Sequence, residues 1–270
     1  MMDEARLAEI MSQVAPVDKI DQTLHMTVYG RQKTGKTRFA CSGPKPILFM
    51  AEPGVMTVRD VPDLQLFPVD SKGKPTKVSW SNAYDFLYYL KYADHDRKTV
   101  VVDTITALAR TCMRYILKDE ESRDTERMPN NPTMQSWGRL AQSMNEFMEE
   151  LSAVCRTQGM HLIYLAQERY LKEDSNAAGP DIVPDVSPAI RSTLCEMPDI
   201  IARTFVREGK LPNNAPLDQD PPLEYGMEFR SASALVGERI TTSNSGDEPI
   251  LPNYAVNVTV DKLLKKLGGK

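Results

Sequence analysis

The sequence predicts an α/β fold in which a mostly parallel central sheet is flanked by helices, with a short β-rich part near the C-terminal end. Apolar, strand-like runs alternate with helical patterns over the first two thirds of the 270 residues, an order typical of parallel sheets covered on both faces. Residues 99–103, Thr-Val-Val-Val-Asp, form a β-branched run that suits a central strand buried on both sides.

The N-terminal segment has the pattern of a short helix. Leu7, Ile10, Met11 and Val14 recur at helical spacing within residues 3–14, which predicts an amphipathic helix. Such a helix either packs on its own domain or docks on a neighbouring subunit, and the pattern leaves both open.

The order of the remaining elements follows from apolar runs, helical periodicity and turn residues. Strands are predicted at residues 24–29, 46–50, 64–69, 99–103, 161–166 and 200–206. Helices are predicted at residues 36–42, 82–93, 104–116 and 134–158.

Polar stretches separate or follow these elements. Residues 118–132 and 168–188 have the composition of long loops, and residues 212–222 have that of a linker. Residues 225–260 suggest short strands and turns, and residues 262–270 form a basic end.

Composition limits the class of protein. The net charge is −4, so any contact with nucleic acid has to come from local basic patches. No stretch approaches the roughly 20 apolar residues of a membrane span, and no membrane partner is expected. The four cysteines are scattered without Cys-x-x-Cys spacing, which argues against a zinc site or a disulfide framework and indicates a reducing, cytoplasmic compartment.

Residues 30–37, Gly-Arg-Gln-Lys-Thr-Gly-Lys-Thr, match the Walker A pattern Gly-x-x-x-x-Gly-Lys-Thr between a predicted strand and a predicted helix. The glycines let the loop curl so that backbone N–H groups point inward at phosphate. Lys36 supplies a charge for the β- and γ-phosphates, and the Thr37 hydroxyl is a ligand for Mg²⁺. The candidate nucleotide-binding residues are Gly30, Arg31, Gln32, Lys33, Thr34, Gly35, Lys36, Thr37 and Arg38.

Two acidic residues follow predicted strands. Asp103 closes the β-branched run and either supports the metal, with Thr37, or caps the helix that follows. Glu52 comes just after the second strand and either orients an attacking water or is a solvated loop residue.

Four segments lie at predicted strand ends: residues 30–37, residues 49–52 (Phe-Met-Ala-Glu), residues 100–108 (Val-Val-Val-Asp-Thr-Ile-Thr-Ala-Leu) and residues 165–167 (Leu-Ala-Gln). Together they resemble the RecA-like P-loop ATPase core, over about residues 20–206. The second segment is similar to the family's strand ending in Ala-Glu or Thr-Glu, the third to its Walker B pattern, and the fourth to its strand ending in Asn-Gln.

This resemblance implies ATP and Mg²⁺ as cofactors and three catalytic side chains. Lys36 would hold the phosphates, Glu52 would activate water, and Gln167 would sense the γ-phosphate and couple it to residues 168–188. Together with the sequence patterns described above, it divides the chain into an N-terminal helix at residues 1–19, a RecA-like ATPase core at residues 20–210, and a C-terminal β-rich extension with a basic tail at residues 211–270.

The chain is shorter than full recombinases, and in this it looks like phage AAA-family ATPases and phage nucleotide-binding proteins of the single-strand annealing type. The likeness implies a DNA-stimulated ATPase that binds single-stranded DNA and promotes annealing or strand exchange in homologous recombination. It also implies a homo-oligomer, as a ring or a filament, and a single-strand binding protein as a further partner. The compartment would be the host cytoplasm if the chain is phage-encoded.

Candidate DNA contacts are basic residues in and around the two long predicted loops, because single-strand binding needs cations and stacking faces. Acidic residues stand beside those of the first loop, so a solvated loop of mixed charge remains an open alternative. The candidates are Arg123, Arg127, Arg169, Lys172 and Arg191.

Two other functions are compatible with the same phosphate loop. One is a P-loop kinase that phosphorylates a small molecule, and the other is a non-hydrolysing nucleotide switch in a phage assembly. Dependence of the ATPase rate on single-stranded DNA would separate the first of these from a recombination protein, and negligible turnover would identify the second.

Overall fold

A computed structural model describes residues 6, 11, 23–52, 54–123, 131–171, 181–210, 220–238 and 250–268. The helix predicted at residues 3–14 lies almost entirely outside the described residues. Arg127, Lys172 and most of the predicted linker at residues 212–222 also lie outside them.

The described residues form a central sheet whose strands are mostly parallel, as the sequence predicts. The strands are β1 (His25–Gly30), β2 (Pro46–Met50), β3 (Gln65–Phe67), β4 (Thr99–Asp103), β5 (His161–Tyr170), β6 (Ile182–Pro184), β7 (Ile200–Glu208), β8 (Leu223–Glu228), β9 (Gly237–Glu238) and β10 (Tyr254–Val256).

The strand order across the sheet is β10-β8-β7-β1-β5-β4-β2-β3. All pairs from β7 to β3 are parallel, whereas β8 and β10 extend the same sheet in antiparallel fashion. The short strands β6 and β9 pair antiparallel with β5 and β7. The carboxyl ends of β1, β2, β4 and β5 therefore lie along one edge of the sheet.

Helices cover both faces of the sheet. Val100 and Val102 of β4 belong to the core cluster on one face, and Val101 belongs to the cluster on the other face, as strand alternation requires. The β-branched run is thus buried on both sides. The helices are α1 (Lys36–Ala40), α2 (Ser81–Tyr92), α3 (Ile105–Arg123), α4 (Met134–Thr157), α5 (Pro188–Glu196) and α6 (Val260–Lys266).

The prediction of a loop at residues 118–132 is wrong for its first part, because helix α3 continues to Arg123. Arg139 of α4 donates hydrogen bonds to Asp119 at 2.8 Å and to Glu120 at 3.1 Å. Asp119 and Glu120 are therefore helical residues that pair with the next helix and do not belong to a solvated loop.

The prediction of a continuous loop at residues 168–188 is also wrong where the structure describes it. Strand β5 runs on to Tyr170, and β6 pairs with its end. Ile182 and Val183 are buried, which holds β6 against the protein despite the polar sequence around it. Pro188 then occupies the start of helix α5, where its missing N–H costs nothing.

None of the helices in the described part of the chain is long and apolar enough to cross a membrane.

The buried residue His25 makes the stability of the fold sensitive to acid. Its Nδ1 lies 3.0 Å from Ser152 Oγ of α4, and burial, with smaller contributions from Arg156 and His161, lowers its pKa from 6.5 to about 3. In the unfolded chain His25 becomes protonated below pH 6.5, whereas in the folded protein it stays neutral down to about pH 3. The stabilisation is therefore complete above pH 6.5 and is lost as the pH falls.

We expect acidification from pH 7 to pH 5 to remove about 2 kcal/mol of stability through His25. In His25→Phe, which cannot titrate, the fall in Tm over the same interval should be smaller by several degrees. Thermal unfolding at both pH values measures this. Equal slopes in the two proteins would assign the acid sensitivity to other groups.

Candidate nucleotide-binding site

The predicted site residues meet at the carboxyl edge of the sheet, where ligands bind in open α/β folds. Gly30 ends β1 and is paired in register with Gln167 of β5. Asp103 ends β4 and is paired with Met50, the last residue of β2. Glu52 follows Met50 by two residues, so chain order alone brings these groups to one place.

The loop between β1 and α1 has the curled backbone that the motif predicts. Lys33 and Gly35 have left-handed φ values of 64° and 83°. At Gly30 a Cβ atom would lie 2.3 Å from Thr204 Oγ1, so no larger residue fits beside β7. The Thr34 hydroxyl donates to Arg31 O at 2.7 Å and lies 2.6 Å from Thr204 Oγ1, which fixes the loop to that strand.

Lys36 extends into this loop. Its side chain is buried, and Nζ donates hydrogen bonds to Gly30 O at 2.8 Å and Arg31 O at 2.6 Å. Burial lowers the pKa of Lys36, while the charges of Asp103 and Glu52 oppose this shift. The loop thus holds a desolvated cation, which suits a phosphate ligand because opposite charges attract strongly where water is excluded.

Thr37 and Asp103 place two side-chain oxygen atoms next to each other beside the phosphate loop. The Thr37 hydroxyl donates to Asp103 Oδ2 at 2.7 Å. Burial raises the pKa of Asp103 to about 6, and the charge of Glu52 adds to this shift. A buried carboxylate beside a hydroxyl fits Mg²⁺, a cation that prefers oxygen ligands and offsets the cost of keeping this carboxylate charged.

Asp103 is not the cap of helix α3. The hydroxyl of Thr104 accepts the hydrogen bond from Ala107 N at 3.1 Å and so takes the capping role. The Asp103 side chain instead accepts the hydrogen bond from Thr37 and faces the phosphate loop.

Glu52 is held by two side chains rather than exposed on a loop. Thr104 Oγ1 donates to Glu52 Oε1 at 2.7 Å, and Gln167 Nε2 donates to Glu52 Oε2 at 3.1 Å. The other end of the Gln167 amide, Oε1, accepts from Lys36 Nζ at 3.4 Å. A continuous polar chain therefore connects Lys36, Gln167, Glu52 and Thr104.

The remaining loop residues differ in their surroundings. Arg31 turns away from the cradle, because its Nε donates to Glu168 at 2.9 Å and its guanidinium donates to Tyr170 OH at 2.8 Å. Arg38 forms a bidentate ion pair with Asp60 at 2.8 and 2.9 Å. Both cations thus already have carboxylate partners. Gln32 and Lys33 are exposed at the wall of the cleft.

Several residues at the site carry no clear signal in the sequence. The position of Thr104 at the start of a predicted helix indicates a capping residue, but its contact with Glu52 depends on the fold. Thr204 and Tyr225 come from β7 and β8, and the Tyr225 ring lies 3.2 Å from the position of a Cβ on Gly35. Glu168 is almost fully buried between Arg31 and Arg203.

The structure describes three of the predicted DNA contacts, and two of them, Arg169 and Arg191, are close enough to interact electrostatically. Arg123 forms an ion pair with Asp119 of its own helix at 3.1 Å. Arg191 is half-buried, its pKa is lowered by burial, and it donates to Val186 O at 3.1 Å. Arg169, at the end of β5, lines the same cleft as the phosphate loop. Arg127 and Lys172 lie outside the described residues.

The site combines three features: a glycine loop after β1 of a parallel sheet, a buried lysine in that loop, and an acidic residue at the end of a nearby strand. Together these features define the class of P-loop nucleoside triphosphatases. The chain belongs to the AAA domain family, a family of P-loop proteins whose sequence model matches residues 22–239. No curated protein matches the chain.

Proposed function

We propose that this protein is an ATP- and Mg²⁺-dependent ATPase that binds single-stranded DNA and promotes annealing or strand exchange in homologous recombination. The observation that carries the ATPase part is the convergence of Lys36, Thr37, Asp103, Glu52 and Gln167 at one edge of the sheet. The DNA part rests on the resemblance of these segments to RecA-like proteins and on the basic cleft described below.

In this proposal each side chain has a definite task. Lys36 and the backbone of residues 30–37 bind the triphosphate. Thr37 and Asp103 would hold Mg²⁺, which supplies positive charge to the phosphate oxygens when bound. Glu52 accepts a proton from the attacking water, and Thr104 orients the Glu52 carboxylate through the 2.7 Å hydrogen bond.

Gln167 is the link between the nucleotide and the rest of the cleft. Its side chain contacts Lys36 and Glu52, whereas its backbone O accepts from Asp185 N at 2.8 Å. Movement of Gln167 toward a γ-phosphate would therefore be transmitted to the β5–β6 pair and to Arg169. This supports coupling between ATP binding and DNA binding.

The proposal includes a homo-oligomer, as a ring or filament, and a single-strand binding protein as an accessory partner. It also keeps the reducing, cytoplasmic compartment predicted from the cysteines, since Cys41, Cys112, Cys155 and Cys195 are all free thiols.

Binding to labelled single-stranded DNA tests the DNA part of the proposal. We expect a gel shift that is strengthened by ATP with Mg²⁺ and weakened as salt rises, because phosphate contacts release counterions. A duplex of the same length serves as the comparison. No shift under any condition, at two salt concentrations, would contradict the recombination function and favour a kinase or a nucleotide switch.

A further inference from the structure

The cleft beside the phosphate loop is larger than a nucleotide needs. Its volume is about 2490 Å³, whereas small-molecule pockets usually measure about 300–1,000 Å³. One part holds Lys36, Thr37 and Asp103, and another extends past Gln167 along helix α3 to the first turn of α4. We refer to this second part, lined by Arg110, Arg114, Trp137 and Arg169, as the arginine arm.

The arginine arm carries positive charge. Arg110, Arg114 and Arg169 contribute three guanidinium groups. The carboxylate of Asp185, which also lines the cleft, lies 3.4 Å from Arg110 Nη2. The Arg110 side chain is still 66% exposed in spite of that contact. The arm is therefore cationic, although the whole chain has a net charge of −4.

Helix geometry arranges two of these cations in a row. Thr106, Arg110 and Arg114 are four residues apart on α3, so they lie on one face of the helix. At the start of this row the Thr106 hydroxyl accepts a hydrogen bond from Gln167 N at 3.1 Å. The row thus begins beside the nucleotide-sensing residue and leads away from it.

An aromatic side chain lines the same cleft as this row. Trp137 lies in the first turn of α4 and is 46% exposed, and Met134 beside it is 87% exposed. Both line the cleft. A half-exposed indole in the same cleft as exposed guanidinium groups offers a stacking face for a base together with positive charge for the adjoining phosphates, the combination that single-stranded nucleic acid binding requires.

We infer that the arginine arm is the path of single-stranded DNA, with Arg110 and Arg114 contacting phosphates and Trp137 stacking on a base. The inference rests on the proposed function. It assigns the DNA contacts to Arg110, Arg114 and Trp137, which line the same cleft as the phosphate loop, in place of Arg123 and Arg191. An acidic segment of a second copy of the chain is the competing occupant, and the measurements below distinguish it.

Fluorescence anisotropy of a labelled oligothymidylate tests this path with the full chain, in ATP and Mg²⁺. Trp137→Ala should weaken binding about tenfold or more, since stacking on one aromatic side chain contributes that much. Trp137→Phe should bind within about threefold of the wild type because it retains a stacking ring. Loss of affinity in both variants to the same degree would contradict stacking.

The double variant Arg110→Gln/Arg114→Gln tests the phosphate contacts. The slope of log K against log salt should become shallower by about 0.7 for each cation removed, and Arg110→Lys/Arg114→Lys should restore it. The matched control is Lys45→Gln/Arg156→Gln. It removes the same charge at the opposite edge of the sheet, where these residues pair with Asp96 and Asp199. This control should keep the wild-type slope.

The outcomes separate the two proposals. If the wild type binds no single-stranded DNA, the proposed function and the inference both fail. If the wild type binds but the arginine and tryptophan variants keep its affinity and salt slope, the inference alone fails. Light scattering measures the oligomeric state and so tests whether a second copy of the chain occupies the arm. Variants that lose oligomers while keeping DNA affinity would assign the arm to subunit contacts. Because Arg110 and Arg114 are exposed, their variants should fold even if Trp137→Ala does not.

Discussion

Replacing Lys36 with methionine is expected to weaken ATP binding at least about thirtyfold. Methionine fills the space of the lysine stem inside the loop but removes the charge that faces the phosphates. Loss of one partner from a desolvated charge pair costs about 2–5 kcal/mol, which corresponds to about 30- to 5,000-fold in affinity. Calorimetric titration with a non-hydrolysable ATP analogue and Mg²⁺ measures the effect.

The fold should survive this change. Lys36 is buried and its pKa is lowered, so its removal also relieves a desolvation cost and should leave Tm close to that of the wild type. Lys91→Met, on the exposed side of helix α2, is the matched control and should bind ATP normally. An affinity of Lys36→Met within threefold of the wild type would contradict the assignment of residues 30–37 as the phosphate loop.

Replacing Glu52 with glutamine is expected to leave ATP binding intact and to lower kcat by about 10²–10⁴. The amide oxygen of glutamine can still accept the hydrogen bond from Thr104, so the shape of the site is retained. What is lost is the carboxylate that takes a proton from water. Steady-state phosphate release and the calorimetric titration together separate turnover from binding.

Glu149→Gln, on the exposed surface of helix α4, is the matched control for this substitution and should hydrolyse ATP at the wild-type rate. If Glu52→Gln also turned over at that rate, Glu52 would have no catalytic role. If it lost ATP binding as well, the residue would be part of the phosphate or metal site instead.

The central features of the site could be predicted because they belong to local patterns. Residues 30–37 specify their own loop through glycine spacing, and Asp103 and Glu52 each follow a recognisable apolar strand. In a parallel sheet the carboxyl ends of strands share one edge, so their order in the sequence was enough to predict that they meet. The alternation of strands and helices is also a local pattern, and it was sufficient to predict the fold class.

Contacts between distant elements could not be predicted in this way. The charged residues Asp119 and Glu120 lie in a segment whose composition predicts a loop. In the structure they are helical and pair with Arg139 of α4. Tyr225 reaches the phosphate loop because β8 adds to β7 in antiparallel fashion, and nothing in its local sequence indicates that neighbour.

The arginine arm illustrates the same limit. Arg110 and Arg114 lie within a helix whose sequence pattern is that of an ordinary packed helix. Trp137 lies in the first turn of another helix, after the segment predicted to be a loop that binds DNA. Their common cleft arises from the packing of α3 against α4, which depends on residues spread along both helices. Basic composition in and around the loops instead pointed to Arg123, which pairs with Asp119 of its own helix, and to Arg191, which is half-buried.

Phosphate release by the wild type and by Glu52→Gln, each with and without single-stranded DNA, tests the account most directly. We predict Mg²⁺-dependent turnover that rises when single-stranded DNA is added to the wild type, and negligible turnover in Glu52→Gln under both conditions. A wild-type rate that is the same with and without DNA would contradict coupling, and equal rates in the two proteins would contradict the catalytic site itself.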